Sequence, residues 1–140
     1  VMAAAVADFR PEAQAASKLK KGGDDEGGLS TVHLVENPDI LATTVTRRAQ
    51  GDLASDAIIV GFAAETGDTE TSALDHAKAK LARKGCDLLM CNEVGRGKVF
   101  GQTHNQGWIL SADGAVTEVD EGTKLEVAAH IMDAVSAYRG

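Results

Sequence analysis

The chain is poor in the residues and patterns that announce a chemistry. It has two cysteines, two prolines and only a handful of aromatic side chains (three Phe, one Trp, one Tyr). Two thiols cannot make a disulfide framework, and Cys86 and Cys91 lie in or beside the apolar segment Asp87 to Cys91. That placement reads as a buried strand and not as half of a zinc site, so reduced structural thiols and a cytoplasmic location are expected. No apolar run approaches the roughly 18 to 20 residues of a membrane span. The longest, Val1 to Ala7 and Ala57 to Ala64, are strand-sized, and no membrane partner is expected. No basic start followed by an apolar stretch and a small-residue cleavage site is seen.

Basic residues are also scarce. Fourteen Lys and Arg stand against 21 Asp and Glu, a net charge of −7, so the surface as a whole repels nucleic acid and anionic lipid. Any anionic ligand then needs a local basic pocket. The four histidines, His33, His76, His104 and His130, show no HExxH spacing, and neither Gly-x-Ser-x-Gly nor a Cys-His arrangement occurs. GxxxxGK[ST] and GxGxxG are both absent, so neither Gly22 to Gly28 nor Gly95-Arg96-Gly97 is a phosphate loop. Hydrolase and metalloenzyme readings have no support, and no metal ligands are assigned.

What is present is ordinary for a globular protein: 44% hydrophobic and 25% charged residues. A chain of this size fits one domain, residues 1–140. It opens on Val1-Met2-Ala3-Ala4-Ala5-Val6, strand-like from the first residue, which predicts a start inside a larger domain. Strands are expected at Val1 to Val6, Leu29 to Val35, Ala57 to Phe62 and Asp87 to Cys91. A helix from Pro38 to Gln50, capped by Asn37 and stopped at Gly51, follows the second. Helices are also expected from about Thr69 to Lys84, stopped by Gly85, and from about Thr123 to Tyr138. In the last of these, Leu125, Ala128, Ile131, Met132 and Val135 recur at helical spacing and predict its core face. Trp108 to Leu110 and Val116 to Val119 flank Ser111-Ala112-Asp113-Gly114, a hairpin signal. The fold class is therefore α/β: a Rossmann-like, three-layer parallel sheet flanked by helices, with a late antiparallel hairpin edge.

In such a sheet, ligands bind beyond the carboxyl ends of the strands. The strand exits are Ala7 to Pro11, Asn37 to Ile40, Phe62 to Thr66 and Asn92 to Val94. Lys18-Leu19-Lys20-Lys21 beside the glycine-rich turn is either a solvated basic turn or a phosphate contact. Lys80 and Lys84 lie one helical turn apart and repel by a few tenths of a kcal/mol, so an anion between them turns a penalty into a gain. The helix start at Pro38 offers free N–H groups to an anion. Asp39 is a dipole partner or a hydroxyl acceptor, Asp8 a turn cap or a ribose acceptor. Phe9 and Phe62 are core residues or walls for a base. Together these point to a nucleotide or another polyphosphate.

The segments Ala3 to Pro11, Lys18 to Lys21, Asn37 to Leu41, Val60 to Thr66, Lys80 with Lys84, and Asp87 to Asn92 resemble, in order, the phosphopantothenate–cysteine ligase family. The likeness is to the bacterial type, the C-terminal half of a bifunctional coenzyme A biosynthesis flavoprotein. The resemblance implies a CTP-dependent ligase that makes an acyl-cytidylate from 4′-phosphopantothenate and then joins it to L-cysteine. It implies that Met2, Ala3 and Ala4 meet the cytosine and that Asp8 and Lys18 contact the nucleotide, Lys18 as the catalytic residue on a closing flap. It further implies that Pro38, Asp39, Ile40 and Leu41 face the phosphates, that Phe62 lines the site, and that Lys80 and Lys84 hold the triphosphate. Mg²⁺ on the phosphates, a homodimer and a fused decarboxylase domain in the full-length parent are implied too, with FMN confined to that absent half. The dimer contact would fall between Lys18 and Val35 or in the late hairpin. The family's glycine-rich segment and catalytic Asn precede the strand that begins here, so the competing reading is a nucleotide-binding or dimerisation module without chemistry of its own.

Overall fold

In a computed structural model of the chain, residues 1–3, 6–14, 16, 31–94 and 104–140 are described. Ala4, Lys18, Lys20, Lys21, the Gly22 to Gly28 turn and Gly95-Arg96-Gly97 lie outside them. Two units are distinguished, residues 4–39 and residues 1–3 with 40–140.

In the smaller unit, β1 (Phe9–Pro11) and β2 (Leu34–Glu36) pair antiparallel, with Arg10 opposite Val35. Of the described part of the expected second strand, 31–35, only Leu34 and Val35 are in a strand, and Phe9 to Pro11, read as a strand exit, is itself a strand. Asn37 also differs from expectation. Its side chain donates to the Ala7 carbonyl at 2.8 Å and accepts from Arg10 at 3.0 Å, so its amide closes the ribbon and does not cap a helix.

In the larger unit, the helix that follows, α1 (Ile40–Ala49), starts two residues later than expected. A four-stranded sheet runs in the order β3 (Val60–Glu65), β4 (Leu88–Glu93), β5 (His104–Ser111), β6 (Val116–Thr123). The β3 and β4 strands are parallel, joined by α2 (Ala73–Lys84); β4–β5 and β5–β6 are antiparallel. The late hairpin is as expected: Gly114, at φ +94°, turns the chain at Asp113-Gly114. Helices cover both faces. Alternation along the strands sends Ala63, Leu89, Cys91 and Leu110 to the face packed by α1 and α2, through Leu41, Val45, Ala77 and Leu81. It sends Val60, Leu88, Met90, Ile109 and Val119 to the face packed by α3 (Lys124–Tyr138), through Val127 and Ile131. Both cysteines are free and buried, and burial pushes the Cys86 thiol above its ordinary value.

Three expectations need correction here. Val1 to Val6 is not a strand among its described residues; Met2 N–H donates to the Val60 carbonyl at 2.9 Å, and one such bond does not make a ladder. The α2 helix begins at Ala73 and not near Thr69. Asp68 accepts from the backbone N–H groups of Glu70 and Thr71, both at 2.8 Å, which turns the chain locally until Ser72 caps the helix. The α3 core face is also rotated: Leu125 is 81% and Met132 55% exposed, while Val127 and Ile131 are buried. Apolar residues lie on two sides of this helix, and the sheet selects the side centred on Val127 and Ile131.

Candidate functional site at the carboxyl end of β3

The parallel pair β3–β4 ends with Glu65 opposite Glu93, and the Glu65 carbonyl accepts from Val94 N–H at 2.9 Å. The strands thus run further than the sequence suggested, and Phe62 to Glu65, read as an exit, closes β3. The α2 helix returns over this strand on Ala73, Ala77 and Leu81, one residue per turn. That docking leaves His76, Lys80 and Lys84, also one per turn, partly buried beside the contact. Long side chains lean toward the N-terminus of their helix, which carries the Lys80 ammonium back to the strand end. Lys80 Nζ donates to Glu65 Oε1 at 2.7 Å, with the two side chains 29% and 20% exposed.

One turn earlier, His76 Nε2 lies 3.0 Å from Asp68 Oδ2. The backbone N–H groups of Glu70 and Thr71, then the histidine, hold the Asp68 carboxyl below its usual range. The last residue of β3 and the loop after it therefore place a carboxylate against each of two successive basic positions of α2. Sequence reasoning passed over Glu65, Asp68 and His76 as site residues. The i, i+4, i+8 row of His76, Lys80 and Lys84 was the available signal for the histidine; nothing in the sequence spacing pairs Glu65 with Lys80.

The other expected site residues are placed as follows. Met2 lies beside β3 through its N–H, and its Sδ accepts from Thr44 Oγ1 of α1 at 3.8 Å. Ala3 is exposed. Ile40, the first residue of α1, is 45% exposed, and Leu41 packs into the core beside Ala77 and Leu81. Phe62 packs against the cluster under α3, on the sheet face opposite Lys80 and Lys84, so these three do not share a face. Asp8, Pro38 and Asp39 are exposed in the smaller unit. Ala4 and Lys18 lie outside the described residues.

A cavity of about 510 Å³ lies elsewhere, among Arg48, Asp56, Ala57, Asp87 and Tyr138. These flank the amino ends of β3 and β4, the wrong end of a parallel sheet for the expected ligand. Two of its charges, Arg48 and Asp87, are matched to each other. The Asp87 carboxylate accepts from both terminal nitrogens of Arg48 and from Ile59 N–H at 2.7 Å, and Arg48 also donates to the Ala57 carbonyl at 2.6 Å. This pair pins the end of α1 to the start of β3. Among the described residues, no group of three or more His, Cys, Asp or Glu is placed to hold a metal, and no helix is long and apolar enough to cross a membrane.

Comparison with known proteins adds the following. A family model, the DNA/pantothenate metabolism flavoprotein C-terminal domain, matches residues 1–138. The coenzyme A biosynthesis bifunctional protein CoaBC of Mycolicibacterium smegmatis is 51% identical over 138 residues, 99% of this chain and 33% of that protein. The Bacillus subtilis protein of the same name is 36% identical over 138 residues, 98% of this chain and 30% of that protein. Among solved structures, the C-terminal domain of a CoaBC matches with a TM-score of 0.53 at 28% identity, covering 75% of this chain and 46% of the other. A DNA/pantothenate metabolism flavoprotein from Streptococcus pneumoniae shares the fold, with a TM-score of 0.59 at 22% identity over 96% of this chain and 58% of that one. The chain thus spans about a third of the length of the bifunctional relatives it matches.

Proposed function

The chain belongs to the family of the DNA/pantothenate metabolism flavoprotein C-terminal domain, and from that premise we propose that it acts in coenzyme A biosynthesis as the ligase part of a bifunctional enzyme. It joins 4′-phosphopantothenate to L-cysteine at the expense of CTP. The observation that carries this reading is the match of residues 1–138 to that family together with 51% identity to a bifunctional coenzyme A biosynthesis protein.

The chemistry balances as two displacements. A carboxylate oxygen of 4′-phosphopantothenate attacks the α-phosphorus of CTP and pyrophosphate leaves; the cysteine amine then attacks the acyl carbon, CMP leaves and the amine loses a proton. Neither step needs a covalent enzyme intermediate, so the protein's task is to align the reactants and neutralise charge. In this reading Met2, Ala3 and Ala4 serve the base, Pro38 to Leu41 offer backbone to the phosphates, and Asp8, Lys80 and Lys84 serve the nucleotide. Lys18 is the catalytic residue in this reading, and exclusion of water protects the acyl-cytidylate. Magnesium would accompany the triphosphate and offset its charge. A homodimer and a fused second activity complete the proposal.

With the full-length parent, pyrophosphate release from CTP should require phosphopantothenate; release that ignores it rejects the ligase. Lys18→Gln should leave the fold intact and reduce acyl-cytidylate formation at least about 100-fold, the scale of losing an electrostatic contact made in the transition state. A second reading is a nucleotide-binding or dimerisation module without chemistry of its own. Calorimetric titration of this chain separates them: CTP binding without turnover supports the module, and a preference for ATP counts against CTP as co-substrate.

A further inference from the structure

Resting on the proposed nucleotide site, we infer that Glu65 reads the ribose of the nucleotide, and that Lys80 is the positioning residue that aims its carboxylate. Three observations converge. Glu65 is the last residue of β3, the first strand of the parallel pair, where an acidic side chain at a strand's carboxyl end is suited to accept sugar hydroxyls. Its backbone is pinned by Val94 N–H and its Oε1 by the Lys80 ammonium at 2.7 Å. No donor among the described residues takes Oε2, and a fifth of the side chain stays open to solvent.

Charge decides what such a group can bind. A carboxylate in contact with an ammonium is a net-neutral pair, so it neither draws in a polyphosphate nor repels a sugar. A fixed, charged acceptor facing a hydroxyl makes a charge-assisted hydrogen bond, about twice as strong as a neutral one. The lysine holds that acceptor in place at 2.7 Å and stops it from turning toward water. Besides its own place in the nucleotide site, Lys80 therefore acts through Glu65, and the pair distinguishes a ribonucleotide from its deoxy counterpart: a site built for a hydroxyl leaves a partly buried carboxylate without a donor when the hydroxyl is missing.

The test is calorimetric binding of CTP, 2′-deoxy-CTP and 3′-deoxy-CTP to the full-length parent. The wild type should bind at least one deoxy analogue about 10-fold more weakly than CTP, the scale of one lost hydrogen bond to a charged group. Glu65→Met should bring CTP down to that analogue's affinity and leave the analogue unchanged. Glu65→Gln, which keeps the Lys80 hydrogen bond and an uncharged acceptor, should fall between, and it decides the matter if the Met variant melts early. Lys80→Met should narrow the preference through loss of aim. Unchanged discrimination in both Glu65 variants overturns the inference, as does an Asp8→Asn variant that alone erases the preference. Equal wild-type affinity for all three nucleotides overturns it while leaving the CTP ligase standing. Failure of CTP itself to bind removes both.

Discussion

Arg48 and Asp87 show how much one residue pair can hold. Their side chains are 19% and 14% exposed, and the contact holds the guanidinium above its ordinary value, through the hydrogen bond to Asp87 first. Arg48→Met strands a carboxylate that Ile59 N–H satisfies only in part, so urea denaturation should show a loss of about 3 kcal/mol, the low end for breaking a buried pair. A loss under about 0.5 kcal/mol would mean the staple is ornamental. Thr123 caps α3 in a reciprocal arrangement: its Oγ1 accepts from Glu126 N–H, and Glu126 accepts from Thr123 N–H at 2.7 Å. Thr123→Ala should cost about 1 kcal/mol at neutral pH. The Thr123 backbone bond, then its hydroxyl, holds the Glu126 carboxyl below the usual glutamate range. A depressed carboxyl stabilises the fold above its unfolded pKa, and that contribution fades as pH falls through the lower folded value. The difference in Tm between wild type and Glu126→Gln should accordingly be full at neutral pH and shrink once pH drops below roughly 4.

At the scale of elements, α3 separates pattern from contact. Its sequence is apolar on two sides, and only packing shows that Val127 and Ile131 meet the sheet while Leu125 and Met132 face outward. Ile131→Ala should lose about 3 kcal/mol, whereas Leu125→Lys should stay within about 0.5 kcal/mol in the same chemical melt. The reverse ranking would restore the face centred on Leu125 and Met132. Strands β4 and β5 meet at a glycine for a steric reason: a Cβ on Gly107 would lie 2.0 Å from the Cys91 carbonyl oxygen. Backbone cannot yield as a flexible side chain does, so Gly107→Ala should lose at least about 3 kcal/mol and broaden the folded NMR spectrum. Helix ends were legible wherever one residue dictates them. Gly85 stops α2 at φ +68° because a left-handed stop favours glycine. The start of α2 and the role of Asn37 were not: Asp68 bonds the backbone just ahead of the helix in one of several local ways open to it, and Asn37 is claimed by Ala7, 30 positions away.

For the molecule as a whole, the charge of −7 predicts that fluorescence anisotropy at physiological salt detects no binding to duplex DNA, despite the DNA in the family's description. Tight, salt-sensitive binding would refute that. The sequence by itself determined the α/β class, the order of helices and strands from β2 onward, the late hairpin and the family, because period, glycine stops and ordered motifs are local properties of the chain. It also nominated Lys80 as a site residue. Only the tertiary structure decided which side of α3 is core, how much of the sheet is antiparallel, that Phe62 and Lys80 lie on opposite faces, and that Glu65 holds the lysine. Those outcomes depend on contacts between different elements, whose energies arise only once the sheet has brought the partners together.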